Sequence, residues 1–404
     1  EYLDAIAAVK PATNSLTLVP HGAVRAMALG WENRAATPAE LERMKAILAQ
    51  AMEEGGVGFS TGLIYPPGMY AERTELVELC RGAASYGGFF VVHMRNEADY
   101  VLDSIREVTS ICLEADCPLH ISHLKVAGRR NWGRAGELLA LLDEVRSQGL
   151  EVTFDQYPYI AGSTMLDAVI PPRFHTGGTK KLLENLRDPA IREEIRQVQE
   201  NIKPERWENW VDTCGWENVM VNAVISDKIR FAEGKSIAEI AKETGKTPLD
   251  AVCDLLIEED DAVTMTIFYG SEDDVKEIMQ SEYMTLCSDG IVGGKPHPRV
   301  YGTCARFLGK YVREEKVLSL PQAIRKMTSL PAQRLGLQDR GLIREGMVAD
   351  ITIFDPARVE EKGTYAEPNQ YPEGFRYVLV AGQLALKEGK LTGVRAGRAL
   401  RRRN

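Results

Sequence analysis

Short apolar, β-rich runs separated by longer stretches of helical period are the feature that most limits what this chain can fold into. The runs are Leu16–Pro20, Val57–Thr61, Phe89–Met94, Leu119–Leu124, Val152–Tyr157 and Met284–Ser288, each followed by polar or Gly-rich residues. Helical segments lie between them, such as Pro38–Glu54 after the cap-like Thr37, and Thr74–Tyr86, which stops at Gly87-Gly88. Parallel strands need a crossover long enough to hold a helix, so this alternation predicts repeated βα units around a parallel sheet.

The repeat is interrupted once and then abandoned. Residues 157 and 284, the end of the fifth run and the start of the sixth, are 127 positions apart, far more than a barrel connection uses. The segment from about 170 to 280 is charged and of helical period (Lys180–Asn185, Ile191–Lys203, Ser236–Glu259), which predicts a helical insertion suited to covering the mouth of the sheet. After Gly341 the period becomes that of strands, at Asp350–Phe354 and Tyr377–Val380. The expected organisation is therefore an α/β barrel-type domain over residues 1–340 and a small β appendage over 341–404. A basic run from Arg395 to Arg403 is expected to be a solvated tail.

Bulk properties remove whole classes of partner. With 49 Lys and Arg against 58 Asp and Glu, the net charge of -9 argues against nucleic acid, whose binding needs clustered cations. No run approaches the roughly 18 apolar residues of a spanning helix, so no membrane partner is expected. The seven cysteines are scattered and form no CxxC pair, which suits a reducing, cytoplasmic setting. The opening Glu1-Tyr2-Leu3-Asp4 carries neither a charged leader nor an initiating Met, and is expected to be the inside of a longer protein.

Chemistry concentrates at strand ends. His93 closes Phe89-Phe90-Val91-Val92-His93, and His123 closes His120-Ile121-Ser122-His123, one βα unit or 30 residues later. In a parallel barrel the C-terminal strand ends carry the active site, so the two imidazoles are expected to converge as part of a zinc site. Period 2 predicts that His120 faces away from the barrel axis. Asp289, after Met284–Ser288, is placed to serve as a base beside a metal; as Ser-Asp-Gly it is equally good turn chemistry.

Several strings carry a specific resemblance. Gly58-Phe59-Ser60-Thr61-Gly62-Leu63-Ile64-Tyr65-Pro66-Pro67-Gly68, His93-Met94-Arg95, Ser122-His123-Leu124-Lys125, Asp155 to Ser163, Ser288-Asp289-Gly290 and His297-Pro298-Arg299 occur in this order. So arranged, they resemble the N-acyl-D-amino-acid deacylase (D-aminoacylase) branch of the amidohydrolase superfamily, essentially end to end. Gly346–Ile351 with Asp355-Pro356 resembles the returning strands of that superfamily's small β-sandwich.

The resemblance implies a (β/α)8 TIM-type amidohydrolase barrel whose strands three to eight are the six runs above, with the insertion after strand seven. It makes His93 and His123 metal ligands, Asp289 the catalytic aspartate, and zinc the cofactor. The His-x-His of strand one and the cysteine of strand two, which this branch uses as ligands, have no match in the sequence. Lys125, Tyr157, Ser163 and Arg299 match residues that contact the substrate carboxylate. Arg173 stands where many relatives carry an aromatic residue and suggests a preference for acidic side chains. The implied partner is a small-molecule N-acyl-D-amino acid, hydrolysed to a carboxylic acid and a D-amino acid. Two alternatives stay open: a hydantoinase- or dihydroorotase-like cyclic amidohydrolase, disfavoured by the absence of a lysine in Val57–Thr61, and a catalytically dead barrel.

Overall fold

A computed structural model describes residues 1–201 and 207–402. Lys203, expected in a helical segment, and Arg403, in the basic run, lie outside the described residues. Strands β1 (Val19–Pro20), β2 (Phe59–Gly62), β3 (Phe90–His93), β4 (Leu119–Ile121) and β5 (Val152–Gln156) follow one another in a parallel sheet. Three strands, β6 (Ala161–Met165), β7 (Val219–Ala223) and β8 (Thr264–Phe268), form a separate antiparallel sheet in the order β6-β8-β7. The chain then returns as β9 (Met284–Leu286), parallel to β5, so β1 and β9 are the edges of a six-stranded arc.

Register explains which face does what. Phe59, Phe90, Leu119 and Val152 are aligned across four strands, and Val92 with Ile121 repeats the row two residues on. These side chains are buried under the helices, where each contributes about 2–3 kcal/mol of burial. The intervening positions, Val91 and His93 on β3, therefore point to the concave side.

The helices obey local rules. Pro38–Glu53 opens with a capping box, Thr37 Oγ1 accepting from the Glu40 amide at 3.3 Å and Glu40 Oε2 accepting from the Thr37 amide at 2.8 Å. It buries Met44, Leu48 and Met52, four residues apart, against the sheet. The interval Ser236–Glu259, one segment by period, is two helices, Ile237–Thr244 and Pro248–Glu258, broken by Gly245 at φ 66°.

The insertion is more than the helices expected of it. Its antiparallel sheet and its helices share their own hydrophobic core, including Leu182, Leu186, Ile195, Val252, Leu256 and Met265. Helical period in the flanks concealed β7 and β8, whose β-branched residues (Val219, Val221, Thr264, Thr266, Ile267) pack strand on strand. The appendage is a four-stranded antiparallel sheet of β10 (Ile351–Phe354), β11 (Phe375–Val380), β12 (Gln383–Lys387) and β13 (Lys390–Leu391).

The basic run is not a solvated tail. Ser15 donates its amide to Arg398 O (3.0 Å), Leu400 donates to Ser15 O (2.8 Å), and Arg401 reaches Glu54 O (2.7 Å). Backbone pairing thus docks residues 398–402 at the N-terminal ends of β2 and β3, the face opposite the strand ends that carry His93. No helix of the described residues is long and apolar enough to cross a membrane.

Candidate functional site

The C-terminal strand ends enclose a cavity of about 340 Å³ whose polar lining includes His93, Glu97, His123, Lys125, Tyr157 and Asp289. His93 is the last residue of β3 and His123 stands two residues past β4. Their rings meet edge to face at 4.6 Å between centroids, with His93 Nδ1 3.0 Å from His123 Nε2. Two imidazole nitrogens this close and this buried share either one proton or one metal ion.

His123 reaches the cavity by leaving the strand conformation. Its φ is 39°, a left-handed value that non-glycine residues rarely adopt, and one that cancels the alternation of side chains. The expectation that His120 faces away from the barrel axis fails for this reason. His120 is in register with Val91 and Thr153, on the concave side, and bonds Thr153 Oγ1 (2.8 Å) and Asp155 Oδ2 (3.0 Å). Asp155 also accepts the His123 backbone N–H at 2.5 Å, so one carboxylate ties down both histidines. Burial alone would raise this carboxyl, but the two histidines hold it down at about 2.

Glu97 is the hub behind the rings. One oxygen lies 3.1 Å from His123 Nδ1; the other lies 2.6 Å from Lys125 Nζ and 3.6 Å from His93 Nε2. Burial would favour its neutral form, yet the ammonium of Lys125 and the flanking imidazoles keep it well below the usual carboxylate range. Burial, reinforced by the charges of His123 and Lys125, lowers His93 to about 3, so its ring is neutral and its lone pair available. His93 Nε2 is buried and has no hydrogen-bond partner. Donor atoms of His93, Glu97 and His123 lie within 4.8 Å of one another, alone of their kind among the described residues. Two converging imidazoles backed by a carboxylate are donors that fit zinc.

On the other side of the cavity stands Asp289, also left-handed at φ 47°. Its Oδ2 is 2.9 Å from Nη2 of the fully buried Arg299. The same guanidinium nitrogen donates to Ser163 O at 3.0 Å, and the guanidinium stacks 4.4 Å from the Tyr157 ring centroid. Arg299 Nε and Nη1 are buried without partners, leaving a cation with donors to spare beside the cavity. Tyr157 and Tyr269 share a hydrogen bond of 2.5 Å, and Ser163 Oγ accepts from Asn222 Nδ2 at 3.0 Å. Lys125, Tyr157, Ser163 and Asp289 thus line one cavity with the two histidines.

Arg173 is not among the residues lining that cavity. It pairs with Glu194 at 3.0 Å, stacks on Phe174, and borders a second cavity with Tyr70, Arg95 and Trp207. The short helical turn Pro172–His175 turns it toward the insertion's helix Pro189–Glu200, which supplies its carboxylate. Glu97 and Trp210, in contrast, are site residues outside every motif, and Asp155 opens one of the motifs without a role that the sequence assigns. Glu97 follows His93 by four residues, and Asp155 is a lone carboxylate after Val152-Thr153-Phe154, both legible as polar residues at strand ends.

A model of an amidohydrolase family matches residues 217–385. The chain is 33% identical over 405 residues to a D-aminoacylase of Alcaligenes xylosoxydans xylosoxydans, covering 100% of this chain and 73% of that protein. It is 34% identical over 404 residues to an N-acyl-D-glutamate deacylase of the same organism, covering 99% and 72%. A solved N-acyl-D-glutamate deacylase from Bordetella bronchiseptica, complexed with zinc and a phosphonate that mimics the reaction's tetrahedral intermediate, superimposes with a TM-score of 0.83 at 32% identity. That match spans 99% of this chain and 74% of the other.

Proposed function

The chain belongs to the D-aminoacylase branch of the amidohydrolases, metal-dependent hydrolases of linear amide bonds, and from that premise we propose that it performs zinc-dependent hydrolysis of N-acyl-D-amino acids. The observation that carries this reading is the convergence of His93 Nδ1 and His123 Nε2 at 3.0 Å in a cavity also lined by Asp289, which the buried Arg299 anchors from behind. His93 and His123 would hold the ion through their converging nitrogens, with Glu97 behind both rings. Zinc supplies Lewis acidity toward water and the amide carbonyl.

The chain's own residues do the rest. Glu97, bonded to the far side of His123, orients that ring; such outer partners fix tautomer and aim. The exposed carboxylate of Asp289 takes the proton of the attacking water and returns it to the leaving amine. Arg299, with two unpartnered guanidinium nitrogens, and Lys125 offer the positive charge that an α-carboxylate requires. Tyr157 and Ser163 position Arg299 by stacking and through a backbone carbonyl.

An acidic side-chain preference would rest on Arg173, which Glu194 holds at a separate cavity, so uncharged and acidic substrates both belong in the assay. The test is to express the full-length protein, measure zinc per chain, and compare hydrolysis of N-acetyl-D- and N-acetyl-L-amino acids with that of hydantoins and dihydroorotate. Turnover confined to D-substrates with about one zinc per chain is expected. Turnover of the cyclic amides alone would overturn the proposal in favour of the cyclic-amidohydrolase reading, and a folded, metal-free, inert protein would make it a dead barrel.

A further inference from the structure

We propose that Trp210, carried by the insertion, is a specificity-determining residue of this site. It receives an uncharged, apolar-bodied substituent of the substrate and donates its indole N–H to an acceptor on that substituent. The inference rests on the deacylase reading above.

Three observations lead to Trp210. It lines the cavity with Ile267, Tyr269 and Ile291, although it lies more than 40 residues from every motif that marks the site. Its placement is enforced: Asn209, which caps the short helix Trp210–Cys214, donates to Gln199 O at 2.7 Å. Glu208 accepts the backbone N–H of Glu97 at 3.2 Å, and Arg130 bridges Asp212 and Asp99, each at 2.5 Å. The segment is therefore fastened to the loops after β3 and β4, and the indole leans on Tyr269 at 6.0 Å between centroids. Finally, Nε1 of this buried side chain has no acceptor, while buried donors are satisfied in the great majority of cases.

The chemistry of the occupant follows from what the wall lacks. Lys125 pairs with Glu97 and Arg299 with Asp289, and in the proposed reaction both cations serve the α-carboxylate. Beside Trp210 the lining offers the apolar bodies of Ile267, Tyr269 and Ile291, with the indole N–H as a donor without an acceptor. Such a wall favours a neutral group with one hydrogen-bond acceptor, which can be the side chain of the D-amino acid or the tail of its acyl group. A site that offers a buried donor discriminates strongly against analogues that cannot accept from it.

The experiment separates the two sources. The unaltered full-length protein, Trp210→Phe and Trp210→Ala, each with its zinc content measured, are assayed on two series. One varies the side chain at constant acetyl: D-alanine, D-leucine, D-glutamine and D-glutamate. The other varies the acyl group at constant D-alanine: acetyl, butyryl and methoxyacetyl. In one series, Trp210→Ala is expected to lower kcat/KM for the larger neutral substrates about tenfold or more relative to N-acetyl-D-alanine, mainly through KM. Trp210→Phe should keep the preference for bulk yet lose about tenfold in the ratio of glutamine to leucine, or of methoxyacetyl to butyryl. Ratios that stay within twofold in both series, for both variants, overturn the role of Trp210 alone. Absence of turnover on every N-acyl-D-amino acid by the unaltered protein overturns this inference and the deacylase reading together.

Discussion

Asp289 and Arg299 form an ion pair of 2.9 Å between unequal partners: the guanidinium is fully buried, whereas the carboxylate is 40% exposed and faces the cavity. The buried partner cannot leave, so the exposed one is held in a fixed place while staying open to water. Replacing Asp289 with Asn keeps the shape and removes the base. Turnover of N-acyl-D-amino acids should fall about 10²–10⁴-fold with zinc content largely retained. Steady-state kinetics with metal analysis checks this, and near-normal turnover would leave Asp289 a turn residue only.

His123 acts differently. Its replacement by Asn removes one of the two converging nitrogens, and zinc content itself should drop. Metal analysis after gel filtration reads the outcome directly; an Asn variant retaining a full complement of zinc would remove His123 from the ligand set.

Glu97→Gln should cost both metal and stability. Outer-shell carboxylates typically contribute 10–100-fold to metal affinity, and Lys125 would be left as a buried, uncompensated cation, a loss of roughly 3–5 kcal/mol. Adding Lys125→Met should recover most of the stability and none of the affinity. Denaturant melts and competition with a zinc chelator separate the two effects.

The insertion carries a pH signature away from the cavity. Burial raises Asp167 to about 6, and burial with the nearby Asp167 charge raises Asp261 to about 6. A carboxyl whose folded value exceeds its unfolded value holds its proton longer in the native state. Its stabilising effect is complete below about 4 and is lost as pH rises through 6. Asp167→Asn should therefore leave stability at pH 4 nearly unchanged and add about 2 kcal/mol at pH 8. Melts of both proteins across that range test it, and an equal offset at both pH values would show the effect to be unrelated to titration.

How legible the site was depended on whether a residue's place followed from local period. The six strands and His93 were readable because β3 is regular to its last residue, which then must face the cavity with Val91. His120 was misassigned because His123 sits at a positive φ, and nothing in Ser122-His123-Leu124 announces that turn. Strand β7, which pairs with Thr264–Ile267, was hidden for another reason: antiparallel pairing across about 45 residues leaves no trace in a window of ten or fifteen. Trp210 was beyond reach for a third: its position is decided by Glu208, Asn209 and Asp212 meeting partners that are 10 to 111 residues away in sequence.

The docking of the chain's last described residues against its first has a consequence for the order of events during synthesis. Asn14 and Arg398 are 384 positions apart, yet they share a hydrogen bond, and Ser15 pairs its backbone with residues on either side of Ala399. A ribosome delivers Asn14 and Ser15 long before their partners. The lead into β1 must wait for the intervening residues to be made with these backbone groups solvated, while the helices and strands behind it are already able to pack. The floor of the sheet is thus sealed late, and a ribosome stalled between residues 299 and 398 holds a chain in which His93, His123 and Asp289 are already present while Asn14 and Ser15 still lack their partners.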